Sequence, residues 1–280
     1  MASSAPVIPL PVAPSRPVIE IDGQRQDRLE SALQAMVLAD GIDTMANAEL
    51  VLGNWGGETP GFQWFGRDII EFGKPLTIKL GSDTLFKGRI TAIGGDFPDG
   101  GPPKLTVLAE DRLQDLRMTR RTRSFMATSL ADVARTIASD HGLSPDISID
   151  AASQPAIAQV NQSDLAFLHD LAWREDAVVW VDGDTLHVAR RRPSTRVELA
   201  WAGSLREFNV IADLATQASA LVAAGWNVAD RAAASHRSDA SAISSELGND
   251  EGGAALLDRA LGARVATLAH ALPRDASEAR

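Results

Sequence analysis

Residues 73–93 read GKPLTIKLGSDTLFKGRITAI, and their alternation decides the fold class. Leu76, Ile78 and Leu80 alternate with Thr77 and Lys79, the period of two expected of a strand with one buried face. Gly81-Ser82-Asp83 supply turn residues. Beyond them Phe86, Ile90 and Ala92 share one face while Lys87, Arg89 and Thr91 take the other. Working outward, a glycine- and proline-rich loop is predicted over 94–103, and Leu105, Val107 and Ala109 then resume the alternation. On the N-terminal side, Val18 to Asp22 reads as a short strand ending at the turn dipeptide Asp22-Gly23. Leu29 to Leu38 and Ala46 to Leu52 read as longer strands parted by Asp40-Gly41. Six strands with no long helix between them predict a small antiparallel β-barrel or sandwich over residues 17–116.

Two features interrupt this pattern. Residues 54–73 carry Trp55, Phe62, Trp64, Phe65 and Phe72 in a chain with only 5% aromatic residues. Such a cluster is either an exposed anchor for an interface or a loop that folds its rings over the barrel end. The second feature is the basic run Arg112, Arg117, Arg120, Arg121 and Arg123. In a chain of net charge −10 and pI about 5.0 it reads as a solvated arm or a salt-bridged subunit contact, not a phosphate site.

The periodicity then changes. Ser129 is placed to N-cap a helix bearing Leu130, Val133, Ala134, Ile137 and Ala138 on one face, with Gly142 where a left-handed C-terminal residue is wanted. Ser163 caps a second helix whose buried stripe is Leu165, Leu168, Leu171 and Ala172. A hairpin follows, Ala177 to Val181 and Thr185 to Ala189 around Asp182-Gly183. This helix–helix–hairpin module occupies 117–192 with its basic lead-in. Val197 to Leu199, Leu205 to Leu214 and Ala218 to Val228 then read as strands of a second β-barrel over 193–280. Three strands do not close a barrel, so this unit is expected to be incomplete. Residues 230–280 are expected to be loop and helix, with Ala254 to Val265 helical.

Composition bounds the function. The chain has 280 residues, 45% of them apolar, and no cysteine. Disulfides, thiolate nucleophiles and cysteine metal sites are thereby excluded, which fits assembly in a reducing cytoplasm. The acidic balance argues against nucleic-acid binding as the main role, and no apolar run is long enough to span a bilayer. Residues 1–16 hold Pro6, Pro9, Pro11 and Pro14 with no basic lead, unlike a signal peptide. A disordered proline-rich arm is expected there, the sharper alternative being an extended arm along a neighbouring subunit.

The chemistry-bearing residues form no constellation. None of His141, His169, His187, His236 and His270 pairs at metal-ligand spacing, and a Gly-x-Ser-x-Gly elbow is absent. The pairs Gly94-Gly95 and Gly100-Gly101 open no helix and so make no phosphate cradle. Glu110-Asp111 and Glu175-Asp176 are adjacent carboxylates of the kind that solvate a surface. No residue is assigned as catalytic, cofactor-binding or metal-binding, and no enzymatic activity is expected. An alternative function rests on Trp173 and Trp180, which could form an aromatic platform for peptidoglycan or another carbohydrate; the plainer expectation is that both indoles pack within the module or against a barrel.

Four stretches together carry a resemblance: GKPLTIKLGSDTLFKGRITAI (73–93), LTVLAEDRLQDL (105–116), VNQSDLAFLHDLAWREDAVVWVDGDTLHVARR (160–191) and FNVIADLATQASALVAAGWNV (208–228). Their order resembles the phage late-control protein D family of tail baseplate hubs, whose hub portion is shared with valine-glycine-repeat spike proteins. The resemblance implies two tube-protein-like barrels per subunit and a homotrimer that adapts a six-fold tail tube ring to a three-fold spike protein. It implies contacts with other baseplate proteins and a place in a contractile phage tail or phage-like injection particle assembled in the bacterial cytoplasm. The family continues past the position of Arg280 with further strands, so relative to it this sequence looks C-terminally shortened.

Overall fold

A computed structural model describes residues 16–42, 44–57, 60–190, 198–201, 203, 205, 207–227, 231–243, 250–268, 273 and 279. The arm expected over 1–16 lies outside the described residues except for Arg16. Two compact units divide the chain near residue 197, and each is described by itself. The chain is mainly β, as the alternation predicts.

The larger unit begins with β1 (Val18–Ile21), β2 (Gln24–Arg25), α1 (Asp27–Ala32), β3 (Leu33–Ala39) and β4 (Asn47–Gly53). A two-residue hairpin, β5 (Trp55–Gly56) and β6 (Gly61–Phe62), precedes β7 (Pro75–Leu80), β8 (Asp83–Asp96) and β9 (Lys104–Glu110). All but the small hairpin join one seven-stranded antiparallel sheet in the order β2-β1-β7-β8-β9-β4-β3. The sheet curls around a core drawn from its strands, including Ile19, Leu50, Leu76, Ile78, Ile90 and Leu105. Its two end strands are joined through α1, which buries Leu29 in that core and bridges back to β1. Ile19 N donates to Glu30 Oε1 at 3.1 Å, and Gln26 N donates to Ile19 O at 2.8 Å.

Three local readings are corrected. The run Leu29 to Leu38 starts as a helix, because Asp27 and Glu30 favour a helical first turn and only Leu33 onward pairs with β4. The loop expected over 94–103 begins later, since β8 runs to Asp96 against β9. Bulges also change which side chains face inward. A shift opposite Ile78 and Lys79 leaves Leu85 of β8 as an exposed extra residue, and one between Ile90 and Ala92 turns Ile93, not Ala92, toward the core.

The same unit continues with α2 (Leu113–Arg117), β10 (Arg120–Thr128), α3 (Leu130–Asp140), β11 (Ser144–Ser148), β12 (Gln154–Ser163), α4 (Asp164–Arg174), β13 (Ala177–Asp182) and β14 (Thr185–Arg190). Both predicted caps are present. Ser129 accepts from Asp132 N and completes a capping box, and Ser163 accepts from Ala166 N. Gly142 takes the left-handed conformation, φ 62°, that ends α3. The expected stripes of both helices form a second core, together with Val179, Leu186 and Val188 of the hairpin. Leu113 and Leu116 of α2, the last residues of the expected barrel, are buried in this second core. Missing from the sequence reading were the β10–β12 ribbon and β11, which pairs parallel with β14. Their alternation carries polar and small residues, so no apolar stripe announces them.

In the smaller unit, β15 (Ala220–Asn227) pairs antiparallel with β16 (Ala232–Asp239) and parallel with β17 (Val265–Leu268). A helix α5 (Gly253–Leu261) connects the last two, close to the predicted helix. The expectation of loop and helix alone after 230 is therefore corrected: β16 alternates Ala, Ser, His and Arg without a large apolar residue, and was invisible for that reason. The described part of 198–214 holds only an isolated bridge, Trp201 to Leu205, in place of the two expected strands.

Candidate interaction surface

The aromatic loop divides into anchors and exposed rings. Asn54 is buried at the end of β4, and its Oδ1 accepts from Gln63 N at 3.1 Å and Trp64 N at 3.0 Å. Trp64 Nε1 donates to Gly53 O at 2.8 Å, and the Arg28 guanidinium lies 5.3 Å from its ring centroid. Trp64 and Ile70 fill the core and pin the loop. The remaining rings turn outward. Phe62 lies 5.4 Å from Trp55, 5.3 Å from Phe65 and 5.8 Å from Phe97, forming a contiguous patch of four exposed aromatics. Phe72, also exposed, sits under the Arg67 guanidinium at 5.4 Å.

One loop thus does two things: Trp64 folds back into the core, and its neighbours stay exposed. Phe97 was missed because it comes from the β8–β9 connection. Gly95 was its signal: a Cβ there would stand 2.8 Å from the Phe97 ring and 3.2 Å from that of Phe65. A ring cluster of this size in water forgoes the burial that aromatics normally obtain, which is the mark of a surface that meets a partner.

The basic run does not form a solvated arm, because its arginines are paired within the chain. Arg112 donates to Asp115, Asp184 and the His141 carbonyl at 2.8–3.0 Å, and Arg117 pairs with Glu110 at 3.0 Å. Arg120 donates to Asn161 O at 2.9 Å. Arg121 and Arg123 converge on Asp140 at 3.1 and 2.6 Å and on Asp164 at 3.4 and 2.8 Å. Asp164 is only 1% exposed and also accepts from His141 Nε2 and Gln159 Nε2, both at 2.8 Å. Burial by itself would raise its carboxyl. The hydrogen bonds from His141 and Gln159 and the charges of Arg123 and Arg121 outweigh that and hold it below the ordinary carboxylate range.

The adjacent carboxylates are structural as well. Asp111 accepts from Ala46 N and Leu113 N, both at 2.8 Å, tying the lead-in to β4 to α2. Burial pushes its carboxyl up against those two bonds. Glu175 caps α4 and pairs with Arg190, and Asp176 takes a turn conformation with φ 49°. Among the described residues no three potential ligands converge as a metal site, and no helix is long and apolar enough to cross a membrane. His169 is half-buried on α4 and His236 lies on β16, while His270 lies outside the described residues. Gly94 and Gly95 are part of β8 and Gly100 and Gly101 of its turn, so neither pair opens a helix. The indoles depart from the plainer expectation: Trp173 is 64% exposed and Trp180 40%.

None of the curated proteins matches the sequence. The fold, in contrast, matches solved structures. The 43 kDa tail protein of prophage MuSo2 from Shewanella oneidensis superimposes with a TM-score of 0.65 at 13% identity, over 95% of this chain and 76% of that one. The tail protein from Neisseria meningitidis MC58 gives 0.61 at 10% identity, over 90% and 70%. Prophage tail protein gp18 from Listeria monocytogenes EGD-e gives 0.53 at 10% identity, over 90% and 72%. These likenesses extend to a phage tail-type fold, without singling out the late-control D group. The model of the Alg8 N-terminal domain matches residues 15–278, nearly the whole sequence, and the chain belongs to that family.

Proposed function

We propose that this chain is a structural, non-enzymatic part of the tail of a phage or phage-like contractile injection particle. In this reading it is the baseplate hub, a homotrimer that adapts the six-fold tube ring to a three-fold spike. The observation that carries the reading is the shared fold: 95% of the chain follows a prophage tail protein at a TM-score of 0.65. The four stretches resembling late-control protein D point the same way and supply the hub position. The exposed rings of Trp55, Phe62, Phe65 and Phe97 support an assembly role, since an aromatic cluster anchors interfaces well. So do the residues of the smaller unit left in water, among them Trp201, Phe208, Ile211 and Trp226, which a neighbouring subunit would cover.

Removing the gene from a strain that makes the particle tests the proposal. Complete tails should vanish from negatively stained preparations and return on complementation. Normal, functional tails without the chain would contradict it.

A further inference from the structure

The outward face of the sheet β11–β14–β13 carries an ordered row that the tail reading leaves unused. The register sets Trp180, His187 and Asp146 side by side across the three strands. The other face of this sheet supplies Val179, Leu186 and Val188 to the module's core, so the row looks away from the helices. Its geometry is fixed. The Trp180 indole lies flat on the His187 imidazole, with centroids 4.7 Å apart and planes 7° from parallel. His187 Nδ1 donates to Asp146 Oδ2 at 2.9 Å. One indole face is covered by His187, yet Trp180 keeps 40% of its surface exposed. The next row toward the hairpin turn is Asp182, Thr185 and Ser144, a carboxylate and two hydroxyls.

We infer that this face binds a neutral glycan. A pyranose ring has an apolar C–H face that stacks on an indole, and a rim of hydroxyl or acetamido donors. Asp146 and Asp182 accept hydrogen bonds from that rim, and the hydroxyls of Thr185 and Ser144 both donate and accept. The charge selects against competitors. The row holds carboxylates and the chain carries −10, so a nucleic acid or a sulfated polymer that could stack on Trp180 would bring its anions against them. An indole already held in place by His187 and Asp146 costs little further ordering when ligand arrives. The inference does not depend on the hub position and would hold for a particle component of another kind.

Calorimetric titration of the full chain with chitohexaose and cellohexaose tests it. Binding of at least one is expected, weakened about tenfold or more by Trp180→Ala and several-fold by Asp146→Asn. Trp180→Phe should keep most of the affinity, which separates loss of the platform from loss of the fold. Trp173→Ala, at the exposed indole of α4, should change nothing. Failure of the native chain to bind either sugar would overturn the inference. So would unchanged binding by Trp180→Ala, or binding of heparin alone.

Discussion

Asp164 shows how one residue can be half legible. Its place at the start of α4 beside the Ser163 cap follows from local sequence. Its partners do not: His141, Arg121 and Arg123 lie 23 or more positions away, the arginines meeting it once β10 pairs with β12 and His141 reaching it from the end of α3. The same blindness made the arginines look like a solvated run. Asp164→Ala leaves two partly exposed arginines and a histidine facing an empty acceptor, and should cost about 3 kcal/mol, the low end for a broken buried ion pair. Urea unfolding of the two proteins measures it. The depressed carboxyl also fixes a pH dependence. Ionised Asp164 contributes stability that is fully present above the unfolded-state pKa and is lost as pH falls through the lower folded-state value. Acidification below the ordinary carboxylate range should therefore narrow the gap between native chain and variant. A constant gap down to the lowest pH at which both fold would contradict this.

At the scale of elements, legibility follows the size of the buried side chains. Both helices of the module carry a leucine- and alanine-rich stripe and a serine cap, and both stand where those signals put them. The strands β10, β12 and β16 bury little and carry polar or small residues, so they emerge only through pairing. The aromatic loop was legible as a feature but not as a division between Trp64 inside and Phe62 outside, which the buried Asn54 amide decides. The stripe is testable by substitution. Leu168 is fully buried, so Leu168→Ala should cost about 2–5 kcal/mol and deplete soluble protein. Trp173→Ala, on the exposed side of the same helix, should stay within about 0.5 kcal/mol. Equal losses in thermal unfolding would mean that the helix presents a different face.

Across the whole molecule the two units differ in how much they bury. The larger has two apolar cores; among the described residues of the smaller, the buried apolar side chains are Ala220, Ala234, Leu257 and Ala279. Among its described residues one sheet of three strands, β16-β15-β17, is formed. Few buried contacts mean cheap local opening. Limited trypsin digestion of the isolated chain should therefore cut within 197–280 first and leave the preceding unit as a resistant fragment. First cuts inside the module would contradict that order. Assembly should reverse the weakness by covering Trp201, Phe208 and Trp226, so the same digestion of intact particles should spare this unit. Reconstruction of the intact particle bears most directly on the hub proposal. Three copies of this fold are predicted at the junction of tube and spike, and six equivalent copies in one ring, or density for the chain elsewhere in the particle, would contradict it.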